Sequence, residues 1–117
     1  MTGTHIIIDI SDINNNELLK YESSIIPILD SIVDKYKLNV VGKAIHQFQP
    51  FGVTGVYILS ESHLSIHTFV EERKVALDLY TCTKFNINNN DDENDLEIFF
   101  KSLFNNDCKI VYKIIER

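Results

Sequence analysis

Residues 60–83 read SESHLSIHTFVEERKVALDLYTCT, and the pattern within this stretch decides the fold. Apolar side chains occupy alternate positions in residues 63–70 and again in residues 75–82, which is the period-two pattern of half-buried strands. The four charged residues between them, EERK, are too few to form a crossover connection. The stretch therefore predicts two neighbouring antiparallel strands.

The same reading extends along the chain in both directions. Further strand candidates are residues 5–10, 40–48, 53–60 and 108–115, with a turn at residues 50–52. Apolar residues between 18 and 36 recur at spacings of three, four and seven, which predicts a helix with one buried face. Pro27 lies inside this pattern and should either kink the helix or mark a restart after Ser23 or Ser24. Residues 86–95 are rich in Asn and Asp and predict a surface loop, with Asp92 or a neighbour capping a second helix.

The composition fits one domain of 117 residues. We expect an α+β fold, a two-layer sandwich of one mainly antiparallel sheet with two helices on one face. The net charge of −6 and the scattered Lys and Arg residues exclude the basic stripe of a nucleic-acid-binding protein. No apolar run reaches the roughly 18 residues that a membrane span needs. Two cysteines without a CxxC motif predict free thiols and a cytoplasmic location.

Reactive side chains are predicted to collect on the sheet face away from the helices. The alternation places on this face His63, Ser65, His67, Phe69 and Glu71 from one strand, and Asp78, Tyr80 and Cys82 from the next. Such a face predicts a site or an interface, although polar outward residues are also usual in antiparallel sheets. We expect no metal, because a zinc site would need His63, His67 and Cys82, and histidines at i and i+4 of a strand lie too far apart for easy chelation.

Three motifs resemble those of the S-adenosylmethionine decarboxylase proenzymes of the small prokaryotic type. They are PFGVTG at residues 50–55, SESHLSIHTFVE at 60–71 and DLYTCT at 78–83. The predicted order of strands and helices extends the resemblance over the whole chain. It implies the sandwich fold of that family and a pyruvoyl-dependent decarboxylation of S-adenosylmethionine, which makes the aminopropyl donor for spermidine.

The resemblance also implies that the chain cuts itself between Glu61 and Ser62, giving residues 1–61 and 62–117. The Ser62 hydroxyl would attack the Glu61 carbonyl, and β-elimination would leave a dehydroalanine that hydrolyses to a pyruvoyl group. Serine is needed because its β-oxygen must be first a nucleophile and then a leaving group. His67 matches the family histidine that moves the proton for elimination, and Thr54 stands where the family usually has a serine hydroxyl.

Other residues match family positions that act on the substrate. The pyruvoyl cofactor would hold the substrate amine as a Schiff base and accept electrons as carbon dioxide leaves. Cys82 matches the proton donor to Cα. Phe48 matches an aromatic that stacks on adenine, and Glu71 a carboxylate that holds the ribose hydroxyls. Phe69 and Val70 replace the usual Trp and Pro, and Phe69 still offers a stacking surface.

Two alternatives stay open. The same pyruvoyl chemistry could act on a free basic amino acid such as arginine or ornithine, because Glu71 could also pair with a guanidinium. A non-catalytic regulatory relative is less expected, since Ser62, His67 and Cys82 are all present. We further expect a homodimer of processed protomers, because the outward sheet face carries Phe69 and Tyr80 beside the reactive groups, and either packing two such faces together or joining the sheets edge to edge would bury them.

Overall fold

The computed structural model describes residues 3–82 and 90–117, with the side chains of residues 90–94 left aside. In chain order the elements are β1 (Thr4–Ser11), a 3₁₀ turn (Asn16–Leu19), α1 (Glu22–Tyr36), β2 (Val40–Gln47), β3 (Val53–Leu59), β4 (Ser62–Phe69), β5 (Lys74–Thr81), α2 (Asn90–Ser102) and β6 (Lys109–Glu116). Neither α-helix of this described part has the length and apolar character that would let it cross a membrane.

The strands form one six-stranded sheet in the order β2-β3-β4-β5-β1-β6. Every neighbouring pair is antiparallel, so the predicted sheet is confirmed. Strand β1 does not pair with its neighbours in sequence but lies between β5 and β6. The first strand of the chain is therefore held between two strands from its second half.

Both helices cover the same face of this sheet. Their buried side chains Ile25, Leu29, Ile32, Leu96 and Phe100 share one apolar cluster with the inward residues of the strands. The Tyr36 ring of α1 contacts the rings of Phe99 and Phe100 of α2, with centroids 5.8 and 6.2 Å apart. Each fully buried aliphatic or aromatic side chain contributes roughly 1.5–3 kcal/mol, so this cluster provides the main driving force for folding. The predicted two-layer α+β sandwich is confirmed, and neither helix of the described residues covers the opposite sheet face.

The start of α1 differs from the sequence-based expectation. The helix begins at Glu22, directly after the extended residue Tyr21, and Pro27 lies inside it. A restart after Ser23 or Ser24 is therefore wrong. The backbone N–H of Glu22 donates a 2.7 Å hydrogen bond to the side-chain oxygen of Gln47 on β2. Because the first N–H groups of a helix lack intrahelical partners, this contact from a neighbouring strand stabilises the earlier start.

The second helix also begins earlier than expected. It starts at Asn90, so residues 90–95 are helical and do not belong to a surface loop. Asp92 lies within the helix and is not its cap. The sequence DDEND in this first stretch suits a helix start, because negative charge near the N-terminus interacts favourably with the helix dipole. The remainder of the expected loop, residues 86–89, lies outside the described residues.

Candidate functional site

The alternation predicted for β4 is observed. Leu64 and Ile66 are fully buried beneath the helices, whereas His67 and Phe69 are exposed on the opposite face. The same holds on β5, where Leu77 and Leu79 are buried and the intervening residues are only partly so. The outward face therefore displays the reactive side chains that the sequence places there.

The expected cleavage site lies in the tight turn between β3 and β4. Leu59 pairs with Ser62 across this hairpin, so the turn consists of Ser60 and Glu61 alone. Ser62 has a backbone φ of +148°, a region that residues with a side chain rarely adopt. Such a conformation costs on the order of 1–3 kcal/mol and tends to occur at functional sites. The strained residue is the one whose nitrogen belongs to the Glu61–Ser62 peptide bond.

Cys82 lies beside this turn, just beyond the end of β5. Its thiol is free and exposed, and it donates a hydrogen bond to the carbonyl oxygen of Glu61 at 3.8 Å. Hydrogen bonding to the Glu61 side chain, followed by burial, raises the pKa of the Cys82 thiol above its ordinary value. The thiol therefore keeps its proton at neutral pH, as a proton donor requires. Glu61, Ser62 and Cys82 are called the cleavage cluster below.

Thr54 and His67 form a second group, called here the hydroxyl–imidazole pair. The two residues face each other across β3 and β4, and Thr54 Oγ1 lies 3.2 Å from His67 Nδ1. A hydroxyl in contact with an imidazole can pass or receive a proton through it. The structure thus brings these two sequence-predicted residues together.

The hydroxyl–imidazole pair and the cleavage cluster are far apart within one chain. Ser62 begins β4 and His67 follows five residues later on the same strand. At about 3.4 Å per residue, roughly 17 Å separates their Cα atoms. One copy of the chain therefore holds the expected processing residues in two places that do not touch. The same reasoning separates His63 from His67, so these two do not share a zinc ion.

The three expected substrate-binding residues line one cleft at the far end of β4. This cleft has a volume of about 380 Å³, and its walls are Phe48, Phe51, Gly52, Thr68, Phe69, Val70, Glu71 and Glu72. Phe48 and Phe69 are 47% and 41% exposed, so both rings are available for stacking. The ammonium group of Lys74 lies 5.6 Å from the Phe69 ring centroid. The cleft thus combines aromatic surfaces with carboxylates.

The wall formed by residues 48–52 is held by Gln47, a residue that the sequence did not single out. Its side-chain amide donates to the carbonyl oxygens of Lys20 and Gly52 at 2.9 and 3.1 Å. The backbone N–H of Gly52 donates to the same Lys20 oxygen at 2.8 Å. Gly52 has a φ of +112°, which favours glycine. This contact set fixes the turn that carries Phe48.

Sequence reasoning also missed a group of side chains on the outward face. His5 of β1 and His63 of β4 both approach Asp78 of β5. His5 contacts the Asp78 carboxylate directly, and the Nε2 atom of His63 lies 3.7 Å from the same oxygen. These three residues are called the imidazole–carboxylate triad below. The outward alternation indicated His63 and Asp78, but not that β1 would bring His5 beside them.

Comparison with known proteins gives one consistent family. A family model described as S-adenosylmethionine decarboxylase matches residues 4–105. An S-adenosylmethionine decarboxylase proenzyme of Archaeoglobus fulgidus is 42% identical over 82 residues, which is 70% of this chain and 72% of the relative. One from Clostridium botulinum is 37% identical over 83 residues, 71% of each chain. The crystal structure of the adenosylmethionine decarboxylase from Aquifex aeolicus is similar with a TM-score of 0.80 and 28% identity, covering 99% of this chain and 90% of that one.

Proposed function

The chain belongs to the S-adenosylmethionine decarboxylase family, and we propose that it decarboxylates S-adenosylmethionine by means of a pyruvoyl group made from its own Ser62. The observation that carries this proposal is the strained Ser62 directly after a two-residue turn, with Cys82 hydrogen bonded to the Glu61 carbonyl. The proenzyme names of the related proteins agree with self-processing.

Processing begins with the Ser62 hydroxyl adding to the Glu61 carbonyl carbon. The carbon–nitrogen bond breaks, the nitrogen takes a proton, and Glu61 is left as an ester on the serine oxygen. Removal of the Ser62 Cα proton then expels the Glu61 carboxylate and leaves a dehydroalanine. Water adds to its imine tautomer and ammonia leaves, which completes the pyruvoyl group. The positive φ of Ser62 favours these processing steps, because strain in the intact chain is released when the peptide bond breaks.

A pyruvoyl group at position 62 fits the surrounding residues. When bound to a substrate amine, such a group accepts the electrons released as carbon dioxide leaves. The thiol of Cys82 lies beside this position, and in the uncut chain its contact with the Glu61 side chain raises its pKa. Cys82 is therefore suited to return a proton to the substrate Cα after carbon dioxide is lost.

The aromatic cleft suits the adenosyl part of S-adenosylmethionine. Phe48 and Phe69 offer exposed rings for the base, and Glu71 offers a carboxylate that can accept hydrogen bonds from the ribose hydroxyls. A free arginine or ornithine has no flat base to stack on these rings. The cleft therefore favours an adenosyl substrate over the basic amino acids.

The distance between the two ends of β4 leads us to propose a homodimer with shared sites. In this dimer the two outward faces pack against each other around a two-fold axis that lies between them, perpendicular to β4. The β4 strands of the two copies then run in opposite directions. The Ser62 end of one copy then faces the partner's His67, and two complete sites result. Four exposed apolar side chains on this face, Ile7, Ile58, Phe69 and Val111, support its burial against a second copy.

The expected product is the aminopropyl donor that spermidine synthesis consumes. We place this reaction in the cytoplasm, where two unpaired cysteines are stable as thiols.

Two measurements on the same preparation test the proposed function. Denaturing mass spectrometry should find residues 1–61 and a pyruvoyl-blocked chain of residues 62–117, and Ser62→Ala should remain whole. The processed enzyme should then release labelled carbon dioxide from carboxyl-labelled S-adenosylmethionine. A chain that stays whole after long incubation at neutral pH contradicts the pyruvoyl proposal. Faster release from arginine or ornithine contradicts the choice of substrate.

A further inference from the structure

The imidazole–carboxylate triad brings three metal-ligating side chains together from three adjacent strands. His5, His63 and Asp78 each offer one ligand atom, and these three atoms all lie within 4.8 Å of one another. All three residues are partly buried, with side-chain exposures of 17%, 41% and 39%. None of them has a part in the decarboxylation described above.

Their convergence follows from the register of the sheet. Tyr80 of β5 pairs with His63 on one side and with His5 on the other, so the two histidines flank the same position. Asp78 precedes Tyr80 by two residues and therefore points to the same face. Backbone hydrogen bonds of the central strands, and not a loop, thus set the spacing of the three ligands.

We propose that the imidazole–carboxylate triad binds one divalent transition-metal ion. Zinc lies about 2.0–2.2 Å from nitrogen and carboxylate ligands, so neighbouring ligand atoms in a tetrahedral site are roughly 3.4 Å apart. The 3.7 Å between His63 Nε2 and Asp78 Oδ1 is close to this spacing. His5 contacts the same carboxylate more closely and needs a small side-chain shift to admit the ion.

The ligand set defines the class of metal. Two imidazoles and one carboxylate suit zinc, cobalt, nickel or ferrous iron, whereas magnesium and calcium prefer oxygen ligands alone. Three protein ligands also leave at least one coordination position for water. Asp78 supplies the negative charge at the site. The guanidinium of Arg117 lies 4.9 Å from the Tyr80 ring centroid and supplies one nearby opposing charge.

Cobalt is the probe for the test, because its visible absorption reports ligand number and type. The full-length protein is stripped with a chelator and titrated with Co²⁺, and bound metal is counted after removal of the excess. We expect one ion per chain, displaced by Zn²⁺. His5→Ala and Asp78→Asn should each weaken binding at least tenfold, the scale on which coordination-sphere changes alter metal affinity. His46→Ala, an exposed histidine outside the triad, should leave binding unchanged.

A second measurement needs no variant and so does not depend on correct folding of the substituted proteins. Addition of one equivalent of Zn²⁺ to the unsubstituted chain should shift the imidazole NMR signals of His5 and His63 and leave that of His46 in place. Absence of binding at submillimolar metal, or binding that persists unchanged in both triad variants, overturns the proposal. Neither result bears on self-cleavage or on decarboxylation, which are measured separately.

Discussion

Ser62 begins β4, and His67 follows it five positions later on the same strand. The roughly 17 Å between them is too great for His67 to take a proton from Ser62 of the same chain. If both act in processing, they must act between two copies.

Mixing two inactive variants tests this sharing. Ser62→Ala and His67→Ala chains should each stay whole when expressed alone. In hybrid dimers formed by coexpression, the His67→Ala chain should be cut, because the partner's His67 reaches its intact Ser62. Tags of different size identify the two chains by mass. The control replaces the first chain with the double variant Ser62→Ala/His67→Ala, which should rescue nothing. Two results contradict the shared site: cutting of the His67→Ala chain when it is expressed by itself, and no cutting of that chain in the hybrid dimers.

The apolar outward face should be needed for dimer formation. Ile7→Asp places a charge in the proposed interface, so we expect a monomer by light scattering at micromolar concentration and no self-cleavage. Ile98→Asp is the matched control, since Ile98 on α2 is 68% exposed on the other side of the molecule and should leave the dimer intact. A monomeric unsubstituted protein, or equal effects of the two substitutions, argues against this interface.

Cys82→Ala should still cut itself but lose productive turnover. In the proposed reaction the thiol acts only after carbon dioxide has left, and removal of a positioned proton donor typically lowers a rate by about 10²–10⁴-fold. Cleavage is measured by intact mass and turnover by carbon dioxide release. Cys108→Ala removes the other, buried thiol and should keep turnover in the range of the unsubstituted enzyme. Full turnover by Cys82→Ala would show that another group donates the proton.

The reactivity of Cys82 should report its contact with Glu61. Hydrogen bonding to the Glu61 side chain raises the pKa of the thiol, so less thiolate is present at a given pH than for an ordinary cysteine. In the uncut Ser62→Ala background, adding Glu61→Gln should lower that pKa and speed alkylation by iodoacetamide near pH 8. The pH profile of the alkylation rate should shift to lower pH by as much as the pKa of the thiol falls. Identical profiles with and without the Glu61 carboxylate are incompatible with this account.

Gly52 should be required for the stability of the substrate cleft. Its φ of +112° strains any residue with a side chain, and we expect Gly52→Ala to lower the free energy of unfolding by about 1–3 kcal/mol. Gly42→Ala is the control, because Gly42 has no positive φ and its added Cβ would meet only the Ile58 side chain at 3.4 Å. Urea denaturation measures both. Equal losses of unfolding free energy in Gly52→Ala and Gly42→Ala would show that the positive φ of Gly52 is not the reason that a glycine is needed there.

The strands and their faces could be predicted because alternation is a local property. The faces of β4 follow from period two within eight residues, and the positions of His63 and Asp78 follow from it. The start of α2 could not be predicted in this way, because acidic residues that suit a helix N-terminus also suit a loop.

The contact between His5 and Asp78 was beyond local reasoning. It exists because β1 pairs with β5, and the two residues are 73 positions apart in sequence. The order of strands in a sheet depends on pairing between distant segments, which periodicity does not report. The separation of Ser62 from His67 is the opposite case, since Ser62 directly precedes the strand predicted over residues 63–70, in which His67 lies.

If the chain is cut between Glu61 and Ser62 as proposed, the order of the strands has a consequence for the resulting enzyme. Residues 1–61 supply β1, β2 and β3, and residues 62–117 supply β4, β5 and β6. Three of the five strand pairings, β3 with β4, β5 with β1, and β1 with β6, therefore join different fragments. The two pieces are interleaved and should copurify as one particle. Once unfolded, however, the two fragments must find each other by diffusion to rebuild even one protomer, so this step depends on concentration after cleavage, whereas the uncut chain carries all six strands itself. Cleavage would thus make recovery of the native state depend on keeping the two fragments together, because dilute fragments rebuild it poorly.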